Sequence, residues 1–197
     1  MRKYYLVYAV IVLFVNEMTP QEKVVKGSFK SLADISQYNV VFDYTGQSIA
    51  NFDSEEAFLK DKMGKRNAEK AEEFKKKWFG DREERYEPAF IAYFNKRMNG
   101  KAAVGKNADA NYTISVSTTW IYPGYNVGIG AEEAKISAIL IVYETANPQN
   151  ILLEVEYDKS IGIEPDFKKN AYNPGDRIAG AYEKLAKNFT LQLKRFM

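Results

Sequence analysis

YTISVSTTWIYPGYNVGIGAEEAKISAILIVYETANPQNILLEVEYD, residues 112–158, holds three β-forming runs and two connections, and the fold turns on how they are read. YTISVSTTWIY (112–122) alternates with period two. Tyr112, Ile114, Val116 and Trp120 fall on one side, and Thr113, Ser115, Ser117 and Thr119 on the other. A strand with one polar face favours antiparallel neighbours, because parallel strands are normally covered on both faces. AKISAILIVYE (134–144) is almost entirely apolar and reads as buried on both faces. TANPQN then turns the chain into ILLEVEYD (151–158), where Ile151, Leu153, Val155 and Tyr157 oppose Leu152, Glu154, Glu156 and Asp158. The last two runs form a hairpin.

Downstream, NPGDRIAGAYEKLAKNFTLQLKRFM (173–197) offers Asn173 as N-cap, Pro174 in the first turn and Asp176 beside the positive helix end. Ile178, Tyr182, Leu185, Phe189, Leu193 and Phe196 recur at spacings of three and four, a stripe that docks on the sheet. Upstream, VVKGSF (24–29) and YNVVFDYTG (38–46) read as strands, with a helical turn at SLADIS and the second strand inside the sheet. Asp53 with Glu56 resembles a capping box opening a helix over 54–79 that is interrupted at Gly64. Gly80 breaks it, and a second helix, EPAFIAYFNKRM, stops at Gly100. KAAVGKNADA (101–110) is a polar connector. The expected fold is α+β, a mixed, mostly antiparallel sheet of four to five strands with helices packed mainly on one face.

The 197 residues are 46% hydrophobic and 27% charged, a composition that supports one globular core. Lys plus Arg number 28 against 26 Asp plus Glu, so no general field draws the chain to nucleic acid. Cysteine and histidine are absent. That removes disulfides, thiolate nucleophiles, Ser-His and Cys-His triads and the usual zinc sites. Arg2 and Lys3 precede an apolar run from Tyr4 to Val15. Its length, about 18 Å as a helix, falls well short of a bilayer core of about 30 Å. Residues 1–21 therefore read as a signal peptide, or a short uncleaved anchor, before a single α+β domain over 22–197.

YPGYNVGIGAEEAK (122–135) looks at first like a phosphate loop. Glu133 stands where G-x-G-x-x-G needs its third glycine, the next segment is a β-run and not a helix, and two carboxylates would repel an anion. What the loop does offer is Trp120, Tyr122 and Tyr125 beside Glu132 and Glu133, aromatic area and hydrogen-bond acceptors suited to glycan or peptide capture. The competing reading is that Trp120 enters the core and the tyrosines staple a long connection. KDKMGKR and KKKWF mix bases with aromatics, but interleaved glutamates and a helix C-terminus explain the lysines as a solvated face. Among the acids, Asp43, Glu132 and Glu133 are the least ordinary, and a carboxylate-based hydrolase would need two of them facing one another across a cleft. Asn111-Tyr-Thr and Asn188-Phe-Thr are glycosylation sequons in form.

NVVFDYTG, WFGDREERYEPAF, YTISVSTTWIYPGYNVGI, VYETANPQNIL and GDRIAGAYEKLAKNF together resemble a group of exported proteins of Gram-negative bacteria. The element order is also similar to envelope accessory lipoproteins whose domains resemble the curli-secretion pore subunit and the TolB N-terminal domain. The missing lipidation cysteine departs from that second pattern. The resemblance implies a periplasmic or otherwise extracytoplasmic location and brings no catalytic residues, cofactor or metal. The expected function is a non-catalytic accessory or adaptor protein with an envelope protein or cell-wall glycan as partner. A glycan- or peptidoglycan-binding module using residues 120–133 is the alternative, and a carboxylate-based hydrolase the third.

Overall fold

The structure, a computed structural model, describes residues 21–107, 109–162 and 173–197. Of the expected leader only Gln21 is among the described residues, at the start of the first strand. In chain order the elements are β1 (Gln21–Gly27), a 3₁₀ turn (Phe29–Leu32), β2 (Gln37–Asp43), β3 (Ser48–Ile49), α1 (Glu55–Gly64), α2 (Ala68–Asp81), a π-helical segment (Arg82–Tyr86) and α3 (Glu87–Met98). There follow β4 (Ala103–Gly105), β5 (Tyr112–Tyr122), β6 (Tyr125–Asn126), β7 (Ala131–Glu132), β8 (Lys135–Glu144), β9 (Asn147–Ile161) and α4 (Pro174–Leu193).

The fold is α+β, with a sheet larger and more mixed than expected. Seven strands run in the order β1-β9-β8-β5-β2-β4, with β3 continuing beside β5 beyond β2. β1, β9, β8 and β5 are antiparallel neighbours, whereas β2, β3 and β4 pair in parallel. Parallel pairing follows from the helical excursion over 55–98, which carries the chain from β3 to β4 and returns it in the same direction beside β2. Ala103–Gly105 is too short to show a period, so the connector reading missed a strand there. The β8–β9 hairpin is as expected, although its turn shrinks to Thr145 and Ala146 because Glu144 already pairs with Asn147.

Helix α1 is capped one residue later than the capping-box reading, by Ser54, whose Oγ accepts from the Ala57 N–H at 3.1 Å. The interruption after Gly64 is present, but Gly80 does not end a helix. The chain stays helical from Ala68 to Met98 through the π segment, where the Glu87 N–H reaches back to the Arg82 carbonyl. Pro88 supplies the reason: it has no N–H, and its ring would press on the carbonyl four residues back in a regular helix. One wider turn absorbs both effects. Helix α4 starts as expected, with the Asn173 side chain accepting from the Gly175 N–H at 3.0 Å.

Burial along β8 alternates, which corrects the reading of 134–144 as covered on both faces. Ile136, Ala138, Leu140 and Val142 meet the helices. On the open face, Ile139 lies between Ser117 and Glu156, and Ile141 between Ser115 and Glu154. The covered face is aromatic. Phe94 touches Tyr38, Phe90 and Phe189 at ring distances of 6.2–6.4 Å. Tyr86 and Tyr182 stack at 5.3 Å, and the Tyr182 hydroxyl meets Thr118 Oγ1 at 2.5 Å. Ile178, Tyr182, Leu185, Phe189 and Leu193 of the α4 stripe are fully buried, while Phe196, past the helix end, stays exposed.

Candidate functional site

Strand β5 contains the feature that decides the site. Thr118 pairs with Ala138 but Trp120 pairs with Ser137, so Thr119 is an extra residue on β5. Such a bulge shifts every later side chain to the other face. Ile121 is therefore buried, and Trp120 and Tyr122 lie half-buried on the open face, against the expectation that alternation carries Trp120 into the core. Their rings sit 6.4 Å apart and within 15° of parallel.

Beyond Tyr122 the chain leaves the sheet as a separate two-stranded hairpin, β6 with β7. Gly124 makes the departure possible: its φ is +64°, and a Cβ there would lie 2.3 Å from the Glu132 carbonyl oxygen. The tip closes on itself. The Val127 N–H donates to the Gly130 carbonyl at 3.0 Å and the Gly128 N–H to Asn126 Oδ1 at 3.0 Å. Val127 and Ile129 stand 66% and 101% exposed, the two largest exposures of large apolar side chains among the described residues, and Tyr125 is about half exposed.

The base of this hairpin is held from both sides. From α4, the buried Arg177 donates through Nε to the Pro123 carbonyl at 3.0 Å and through Nη2 to the Gly124 carbonyl at 3.2 Å. Burial pushes the Arg177 guanidinium below its ordinary value, and the Glu133 charge acts against that shift. On the open face, the Tyr122 hydroxyl donates to Glu132 Oε2 at 2.6 Å, and Lys135 Nζ lies 2.7 Å from Glu132 Oε1. Lys135 and then Tyr122 hold the Glu132 carboxyl below its ordinary value. The same bond, with some burial, pushes Tyr122 up to about 12. Lys135 also sits 5.4 Å from the Tyr122 ring centre, and Lys159 lies 5.9 Å from that of Trp120.

The five residues singled out in the sequence thus separate into three groups. Trp120, Tyr122 and Glu132 come together on the open face, Glu133 acts on Arg177, and Tyr125 points to solvent. Asp43 is exposed, and the backbone N–H of Thr45 holds its carboxyl low. A general acid needs the opposite shift. In the basic helix, Trp78 is buried and donates through Nε1 to Glu55 at 2.6 Å, leaving Lys75, Lys76 and Lys77 as a solvated face. Among the described residues, no group of three or more acids could hold a metal ion, and no helix is long and apolar enough to cross a membrane.

Sequence reasoning passed over Val127, Ile129 and Arg177. For the first two a signal existed: Pro123 to Ala131 carries no charge in a chain that is 27% charged. For Arg177 there was none, since its partners are carbonyls more than fifty residues away.

No protein-family model matches the chain, and no curated protein does. Among solved structures, a single-substitution variant of the PelC dodecamer from Paraburkholderia phytofirmans is 10% identical, with a TM-score of 0.34 over 85% of this chain and 99% of that one. A second crystal form of the PelC dodecamer from the same organism gives 10% identity and 0.33 over 85% and 98%. A likeness this loose bears on neither fold nor partner.

Proposed function

We propose that the protein is a non-catalytic accessory protein of the cell envelope, acting outside the cytoplasm and docking through the 122–134 hairpin. The observation that carries this reading is the exposure of Tyr125, Val127 and Ile129 on a hairpin whose base is pinned. Apolar side chains left in water on a rigid projection gain about 25 cal/mol per Å² when covered. Pinning lowers the ordering cost of covering them. Loop positions presented by a rigid scaffold are where binding surfaces concentrate. The signal-peptide reading of residues 1–21 supports the location.

A photo-crosslinking residue at Tyr125, irradiated in intact cells, tests it. Attachment of an envelope component supports docking at this hairpin. The absence of any product sinks it.

One observation favours a second reading, a glycan- or peptidoglycan-binding module. The parallel, half-buried rings of Trp120 and Tyr122 lie beside Glu132 on the open face. Aromatic faces with a neighbouring carboxylate suit sugar stacking and hydroxyl capture. Titration with peptidoglycan fragments would then change the fluorescence of the wild type but not of Trp120→Phe.

A further inference from the structure

We infer that the occupant of the hairpin tip is a phospholipid bilayer surface, a deepening that rests on the docking reading above. The tip is convex, and Ile129 has no covering neighbour. Insertion drags in no isolated charge. Residues 123–131 are uncharged, Glu132 is matched by Lys135, and Arg177 is matched by two carbonyls and the nearby Glu133. Two of the tip's N–H groups, those of Val127 and Gly128, are satisfied inside the hairpin, which lowers the cost of taking the tip out of water.

Geometry also sets the depth. Gly128 lies three residues beyond Tyr125, a separation of at most about 10 Å even for fully extended chain. That matches the ~5–10 Å to which interfacial elements sink at the headgroup boundary, and is far short of a crossing of about 30 Å. Tyr125 stands behind the apolar tip, where an amphipathic ring meets the headgroups.

A protein pocket fits these residues less well. Protein interfaces carry about one hydrogen bond per 100–200 Å² and lean on Trp, Tyr and Arg anchors. Here the projecting side chains are two β-branched aliphatics, and the charged groups lie at the hairpin base and not at its tip. Because the tip is neutral, its binding should not depend on anionic lipid or on salt.

The chain has no cysteine, so Ile129→Cys creates a single labelling site in the full-length protein, with Lys76→Cys on the solvated helix as control. Each variant would carry an environment-sensitive fluorophore and be mixed with phosphatidylcholine–phosphatidylethanolamine vesicles. The label at 129 should shift to the blue and be quenched by shallow nitroxide lipids, at low and high salt alike. The label at 76 should do neither. Replacing Val127 and Ile129 together by serine, with a reporter at Tyr125→Cys, should weaken tip insertion about tenfold or more. A label at 129 that remains in water on vesicles overturns the lipid occupant. If the Tyr125 crosslink in cells then yields a protein, docking stands and only its occupant changes; if it yields nothing, both fall.

Discussion

The aromatic layer beneath α3 and α4 and the 122–134 hairpin are built from the same kinds of residue and put them to opposite uses. Under the helices, Phe90, Phe94, Phe189 and Tyr182 are fully buried, Phe94 touching the other two phenylalanines and Tyr182 stacking on Tyr86. On the hairpin, Val127 and Ile129 stand mostly or wholly in solvent and Tyr125 is about half exposed. Stability resides in the first region, because burial of apolar area is the main favourable term in folding. The second adds little to it. What fixes the hairpin is a small set of directed polar contacts at its base, which set position and not overall stability. Apolar exposure without a stability role is what the proposed docking surface rests on.

Mutation can break this contrast at either end. The largest effect is expected at Phe94, which meets three other rings with no exposure. Phe94→Ala should cost about 3–5 kcal/mol in urea unfolding, and a loss under 1 kcal/mol would show that the ring layer is not the centre of the core. Next comes Arg177→Met, which keeps the apolar stem but leaves the Pro123 and Gly124 carbonyls without their donors. The local stability of the hairpin should fall by about 1.5–3 kcal/mol, read as faster hydrogen exchange confined to the hairpin with global unfolding little changed. Exchange that speeds up across the whole sheet would mean that the clamp serves the core and not the hairpin.

Tyr122→Phe should act more weakly, and its pH dependence has a definite sign. Tyr122 is raised in the folded protein to about 12. Its contribution is complete below the ordinary tyrosine value of about 10 and is lost as pH rises through about 12. Glu132 is depressed, so its contribution is complete above the ordinary glutamate range and is lost as pH falls through its folded value. In Tyr122→Phe the Glu132 carboxyl should move back toward an ordinary glutamate, as read by carboxyl-carbon NMR titration. An unmoved Glu132 would assign its whole shift to Lys135. The smallest effect is expected at the tip, where Val127→Ser with Ile129→Ser should change stability by no more than about 0.5 kcal/mol. A larger loss would return the tip to the fold and remove the contrast.

How much of this was legible beforehand differs element by element. The β8–β9 hairpin and α4 were, because the apolar run over 134–144, the alternation over 151–158 and the Asn173-Pro174 start with its apolar stripe are local patterns. The break after Gly64 was legible for the same reason. Helical continuity through Gly80 was not, since the signal read as a stop is answered by a wider turn that accommodates Pro88. Of the candidate site, the residue types near 120–133 were visible and their grouping was not.

What the amino-acid order alone determined is therefore the class of fold, the caps and stripes of its main helix, the interior place of β2 and the exclusion of cysteine and histidine chemistry. Each depends on neighbours within a turn or two of helix, or on composition. The tertiary structure decided the parallel pairing of β2 with β4, the bulge at Thr119 that brings Trp120 to the open face, the Tyr122–Glu132–Lys135 contact and the reach of Arg177 to the hairpin base. Pairing direction, strand register and the partner of a charge are set by segments distant in the chain, and their energies appear only once the chain has brought those segments together.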